Sequence, residues 1–125
     1  HVVLGLAMLP LGIVYLAACT VGGRWRLYFP WAAGQLGMVG ADLAGVFRGE
    51  RPGSEGGGLF AAIEGLLLLA LIAAALSGTL WFLEGGSDAA ALWRGHHIVA
   101  ARAFAVLMGL HVLAVSLHLV DLVRD

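Results

Sequence analysis

A chain of 125 residues that is 61% hydrophobic and 12% charged, with a mean hydropathy of +0.94, carries more apolar side chain than a water-soluble domain of this size can keep off its surface. The formal net charge of -1, with seven basic residues that are all Arg, offers no concentrated basic face for phosphate and excludes nucleic acid as a partner. Cys19 is the single cysteine, so an internal disulfide and an iron–sulfur cluster held by this chain alone are excluded too; it reads as a small core residue.

The first residue is His1, set directly against an apolar run with no charged leader, from which the numbering is expected to begin inside a longer protein. Residues 2–21, VVLGLAMLPLGIVYLAACTV, carry no charge and at 1.5 Å per residue cross a hydrocarbon core of ~30 Å, giving a first membrane helix with a kink expected at Pro10. Residues 22–58 hold Arg24, Arg26, Arg48, Arg51, Asp42, Glu50 and Glu55 and form an interfacial connection. Within it 31–47 is expected as a short helix lying under the aromatic cluster Trp25, Tyr28, Phe29 and Trp31, and the RPGSEGGG end as flexible loop. Residues 59–83 give the second membrane helix, with Glu64 as its one charge and Trp81 and Phe82 as interfacial anchors. Residues 84–95 read as a tight polar connection and 96–120 as the third membrane helix, containing Arg102, His111 and His118. The whole is one all-α membrane domain over 1–125.

Arginines set the orientation. Four follow the first helix and Arg124 lies at the C-terminus, against Arg94 alone between the second and third helices, so the long loop and the C-terminus are expected on the cytoplasmic side. His1, Arg94 and His97 then lie on the outer side.

The histidines carry the unusual chemistry. His97 and His111 are fourteen residues apart, about 1400° of helical rotation or roughly 40° short of four turns, and so project from one face ~21 Å apart. That separation suits two stacked haems, one per leaflet. A low-spin haem iron takes two axial ligands from opposite faces of the macrocycle. His1 and His97 each open a helix at the outer side and can meet at one depth around an outer haem b, whereas His111 has no partner on the other two helices and needs one from an upstream segment or another subunit. His96 points about 100° away from His97 and is the less suitable ligand. Two histidines at this interval with a third at matching depth weigh against the alternative that each merely bonds a neighbouring helix. Zinc is disfavoured, since no His-Glu-x-x-His pattern exists and ligands four turns apart cannot share an ion.

Other residues are read two ways. His118 either contacts a quinone or haem propionate at the inner surface or snorkels to the interface; Glu64, ~8 Å inside its helix end and expected at a depth between His111 and His118, either gates protons beside an inner quinone, or snorkels or pairs with an arginine of the long loop. Arg94 suits an outer haem propionate and Arg24 or Arg26 an inner one, or all three bind lipid headgroups, while Arg102 faces away from the outer haem and snorkels. Gly5, Gly12, Gly78 and Gly109 admit either a flat macrocycle or a neighbouring helix.

These residues resemble the di-haem cytochrome b subunits that anchor respiratory formate dehydrogenases and, more distantly, nickel–iron hydrogenases. The correspondence covers nearly all 125 residues and skips the family's first helix. Residues 1–5, HVVLG, are similar to the His-x-x-x-Gly that opens its second helix, Ser77 and Gly78 to the Thr-Gly late in its third, and His97 and His111 to the paired ligands of its fourth. The family's Asn-Ala-Gly-Gln element before the third helix has no counterpart in GGGLFAAIEG, residues 56–65. The resemblance implies three membrane helices of a four-helix haem-binding bundle in a bacterial-type cytoplasmic membrane. It implies an outer haem on His1 and His97 and an inner haem on His111 and a histidine of the first helix. It further implies electrons arriving from an iron–sulfur subunit of a respiratory complex, whose catalytic subunit handles the primary substrate, and leaving to a quinone near the inner haem. The other readings of the chain are a haem-free ion relay through Glu64, Arg102 and the histidines, and a structural small-residue scaffold.

Overall fold

The computed structural model describes residues 1–50 and 58–124, with the backbone alone for 117–124; the RPGSEGG stretch and the His118 side chain lie outside the described residues. Its elements are helices α1 (Val2–Thr20), α2 (Trp25–Tyr28), α3 (Leu36–Phe47), α4 (Leu59–Leu83) and α5 (Asp88–Arg124), with a 3-10 turn, Val21–Gly23, after α1. Among the described residues the chain is all-helical, and three helices are long and apolar enough to cross a membrane: Val2–Gly23, Leu59–Leu83 and Asp88–Ser116. Apolar side chains cover their outer surfaces, with Val3 80% and Leu83 71% exposed.

α4 is the centre. Both α1 and α5 pack against it, and α2 and α3 against its beginning. Its buried positions include Ala61, Gly65, Leu68 and Ala75, spaced by four, three and seven, so one narrow stripe of mostly small side chains turns inward. Hydrocarbon tails are as apolar as leucine, so close packing rather than water exclusion drives the association of such helices. Gly12 of α1 meets α4 on this principle: a Cβ there would stand 3.2 Å from Ile72 Cγ1.

α1 runs unbroken through Pro10 and stops at Gly22 and Gly23, whose φ of 72° and 79° favour glycine. The chain then doubles back. Cys19 is buried with Phe29 and Leu68, and Leu16, Trp25, Tyr28, Trp31 and Ile72 close around them. The thiol is thus core, as its isolation in the sequence implies.

The interfacial helix begins five residues later than the expected 31. Residues 31–34 form a turn instead, held by Ala32 N–H and Ala33 N–H to the Phe29 carbonyl at 3.0 and 3.1 Å, and Gly34 at φ 72° ends it. α3 exposes Leu36, Met38, Leu43, Val46 and Phe47, an apolar surface suited to the membrane boundary. Its Asp42 carboxylate accepts the Leu59 N–H at 2.8 Å, capping α4 from seventeen residues away. A side chain at position 58 would overlap that carboxylate, which explains a glycine there. Asp42→Ala should destabilise the protein by about 1 kcal/mol, the usual loss for a helix cap. Thermal unfolding in detergent, followed by circular dichroism, measures it.

The largest departure from expectation is α5. It begins at Asp88, eight residues before the expected 96, and extends to Arg124, so the polar connection shrinks from 84–95 to 84–87. Hydropathy marks where a chain crosses lipid, whereas helix starts are set by caps. Ser87 supplies one: its Oγ accepts the Ala90 N–H at 3.3 Å, Asp88 follows in the first turn, and Ala89, Ala90 and Ala91 favour helix. At 37 residues α5 is about 56 Å long and outreaches the bilayer core. His97 therefore does not open the helix; it sits nine residues in, roughly 14 Å from its start.

Candidate functional site

His1 at the head of α1 and His97 of α5 come together over α4, with ring centroids 5.9 Å apart and ring planes 73° to each other. Two imidazoles sharing one iron, with metal–nitrogen bonds of about 2 Å on each side, hold their centroids roughly 6 Å apart. The pair lines a cavity of about 430 Å³, apolar apart from the histidines and Thr79, to which Gly5, Met8, Ala101 and Phe104 also contribute. Gly5 faces open space, with nothing within 4 Å of where a Cβ would stand. The site lies roughly 8 Å inside the C-terminal end of α4, judged from the level of Gly78 below Leu83.

His97 is oriented by its neighbours. Its Nδ1 stands 2.8 Å from the Ala74 carbonyl oxygen. A carbonyl can only accept, so Nδ1 carries a proton, and in the neutral ring Nε2 is then the nitrogen with a free lone pair, the tautomer in which a histidine ligates a metal through Nε2. Gly78 makes this possible: a Cβ there would lie 2.9 Å from Nδ1 and 3.0 Å from Cε1. The sequence offered a macrocycle or another helix as the reason for this glycine; the structure places the His97 ring itself against it. Trp81 completes the surroundings, its ring centroid 5.9 Å from that of His97 and tilted by 44°.

Arg94 is exposed, with its guanidinium carbon 5.9 Å from the centre of the Trp81 ring. His96 projects elsewhere, into a second groove between α4 and α5 with Ser77 and Trp93; its Nδ1 is 2.9 Å from the Leu92 carbonyl of its own helix. Arg102 is exposed and does not line the cavity.

The other sequence candidates are not drawn into this site. His111 is half-buried, and Gly109 near it faces open space. With His97 set against Ala74 and Gly78 in an antiparallel helix pair, His111 fourteen residues on falls level with about residues 60–64 of α4. Glu64, exposed, therefore lies near the level of His111 rather than between it and His118. Arg24 and Arg26 are exposed at the far end of α1 from His1, the second stacked on Trp25 at 5.4 Å. Among the described residues no three His, Cys, Asp or Glu side chains group as a metal site; an axial haem pair needs only two.

Two participants were not legible as such. Ala74 acts through its backbone, which no side-chain pattern reveals. Trp81 reads as an interfacial anchor until its neighbour is known. Away from the site, Gln35, the chain's only amide side chain, has an Oε1 that is buried without a hydrogen-bond partner. In the long connection, Arg48 Nε and Nη2 both donate to Glu50 at 2.9 Å, which lowers the Glu50 carboxyl and raises Arg48 from their ordinary pKa values.

Comparison with known protein families, curated proteins and solved structures finds no match to this chain in any of the three.

Proposed function

We propose that the chain is the membrane-anchoring cytochrome b subunit of a respiratory oxidoreductase, passing electrons between a partner iron–sulfur subunit and the quinone pool through two b haems. The observation that carries this reading is the meeting of His1 and His97 from helices far apart in sequence, at a separation an iron can bridge, beside an apolar cavity. Haem would supply one-electron transfer, which none of these side chains provides unaided.

The chain's own residues hold and tune. His1 and His97 are the outer ligands, and the Ala74 carbonyl raises the basicity of His97 Nε2 by accepting a hydrogen bond from Nδ1–H. The apolar walls keep water from the cavity, and Gly5 leaves room along α1 for a flat group. His111 holds the inner haem with a histidine from another segment or subunit. Glu64, near its level, and His118 attend a quinone and its protons. Arg24 and Arg26 face inner propionates or lipid headgroups. The membrane is a bacterial-type cytoplasmic membrane, with loop 22–58 and the C-terminus in the cytoplasm, and a catalytic subunit beyond the iron–sulfur partner handles the primary substrate.

A reduced-minus-oxidised absorption spectrum of the purified membrane protein tests the reading. Sharp b-type bands are expected. Their absence from protein purified from haem-sufficient cells would leave only the ion-relay and scaffold readings. His97→Ala should remove the outer haem and spare the inner one, a loss of about half the signal. Loss of both haems or of neither would overturn the assigned pairing.

A further inference from the structure

We propose that Trp81 is a positioning residue that fixes the plane of the His97 imidazole and holds the Arg94 cation close enough to bias the reduction of an iron bound there. The inference rests on the haem reading above. Residues 74, 78 and 81 form one stripe along α4, spaced by four and three, and the His97 ring lies along it. Each member does something different. The Ala74 carbonyl anchors one atom of the ring, Nδ1, at 2.8 Å. Gly78 leaves space and constrains nothing beyond it. One hydrogen bond fixes a single atom of the imidazole, and of the two rings near it, His1 and Trp81, each 5.9 Å away, the indole stands on the helix that holds Nδ1 and is the bulk that sets the plane.

The same indole has a second neighbour. Arg94 is one turn before His97 on α5, exposed and free to reach headgroups, yet its guanidinium sits over the Trp81 ring. A cation over an indole face is held by the ring quadrupole, more firmly where water is scarce. Trp81 thereby neighbours both the ligand and a positive charge. Reduction of an iron removes one positive charge from the site, so a nearby cation favours the reduced form.

Midpoint potential and electron paramagnetic resonance of the oxidised protein, measured beside haem content, test the inference. Trp81→Leu is expected to shift the largest g value of the outer haem, which reports ligand-plane geometry, and to move the one-electron reduction equilibrium about threefold to tenfold toward the oxidised form. Trp81→Phe should restore the g value. Arg94→Gln, at an exposed position outside the cavity lining, should move the equilibrium the same way without altering the g value. Should Trp81→Leu lose the outer haem while keeping its helicity, recovery of that haem in Trp81→Phe supports positioning and failure to recover it overturns it. Unchanged g value and equilibrium in Trp81→Leu, or an unchanged equilibrium in Arg94→Gln, would also overturn the inference while leaving the haem reading intact. A wild-type protein without b-type bands would instead overturn the haem reading.

Discussion

Gly78→Ala is expected to weaken haem binding sharply at the site proposed between His1 and His97, although it adds one methyl group and touches no proposed ligand atom. The new Cβ would stand 2.9 Å from His97 Nδ1 and 3.0 Å from Cε1, closer than such atoms approach without displacement. The ring must retreat from α4, and in retreating it gives up the Ala74 carbonyl. With that bond gone, nothing selects the tautomer whose Nε2 is free, and the imidazole no longer faces His1. Loss of an outer-shell partner of a metal-bound histidine typically costs 10–100-fold in affinity, and the expected fall in outer-haem affinity is of that order, about 10–100-fold. Haem titration against the detergent-purified protein measures it, with circular dichroism to show that the helices persist. Full retention of the outer haem in this variant would show that His97 does not depend on the close approach.

Gly65→Ala should have a large effect of another kind, on stability and at the opposite end of α4. A Cβ at 65 would overlap the Tyr28 carbonyl oxygen and stand 2.9 Å from Trp31 Cη2. The first obstacle is backbone, which cannot swing aside as a side-chain tip can. Accommodation requires α2 and the turn after it to lift from α4, opening the cluster of Cys19, Phe29 and Leu68. Overpacking of this sort typically costs about 1–3 kcal/mol, and the displaced backbone places this variant at the upper end. Thermal unfolding should show the loss, while any haem signal from the site proposed at His1 and His97 stays unchanged because that pair lies at the other end of the bundle. A variant as stable as the parent would mean that α2 is not seated on Gly65.

Much of the architecture follows from composition in local windows. Twenty uncharged residues in 2–21 and twenty-five with a single charge in 59–83 have few options but to cross lipid, where a helix alone satisfies its own backbone. Helix rotation likewise places His97 and His111 on one face whatever surrounds them. The start of α5 was misread because its first two turns mix Arg94 and Asp88 with alanines: polar for a membrane segment, yet favourable for a helix once Ser87 caps it. The late start of α3 had a different cause, the turn over 31–34 closed by Gly34, which the apolar run conceals.

By itself, then, the sequence determined an all-helical chain with three segments fit to span a membrane, and the angular spacing of the histidines, because both depend only on residues near one another along the chain. Tertiary structure alone decided the depth at which His1 meets His97, the partner of Nδ1, the purpose of Gly78, and the place of Arg94 over Trp81. Each of these depends on the register between α4 and its neighbours. That register is set by where small side chains allow two backbones to close, a property of paired surfaces that neither helix carries alone.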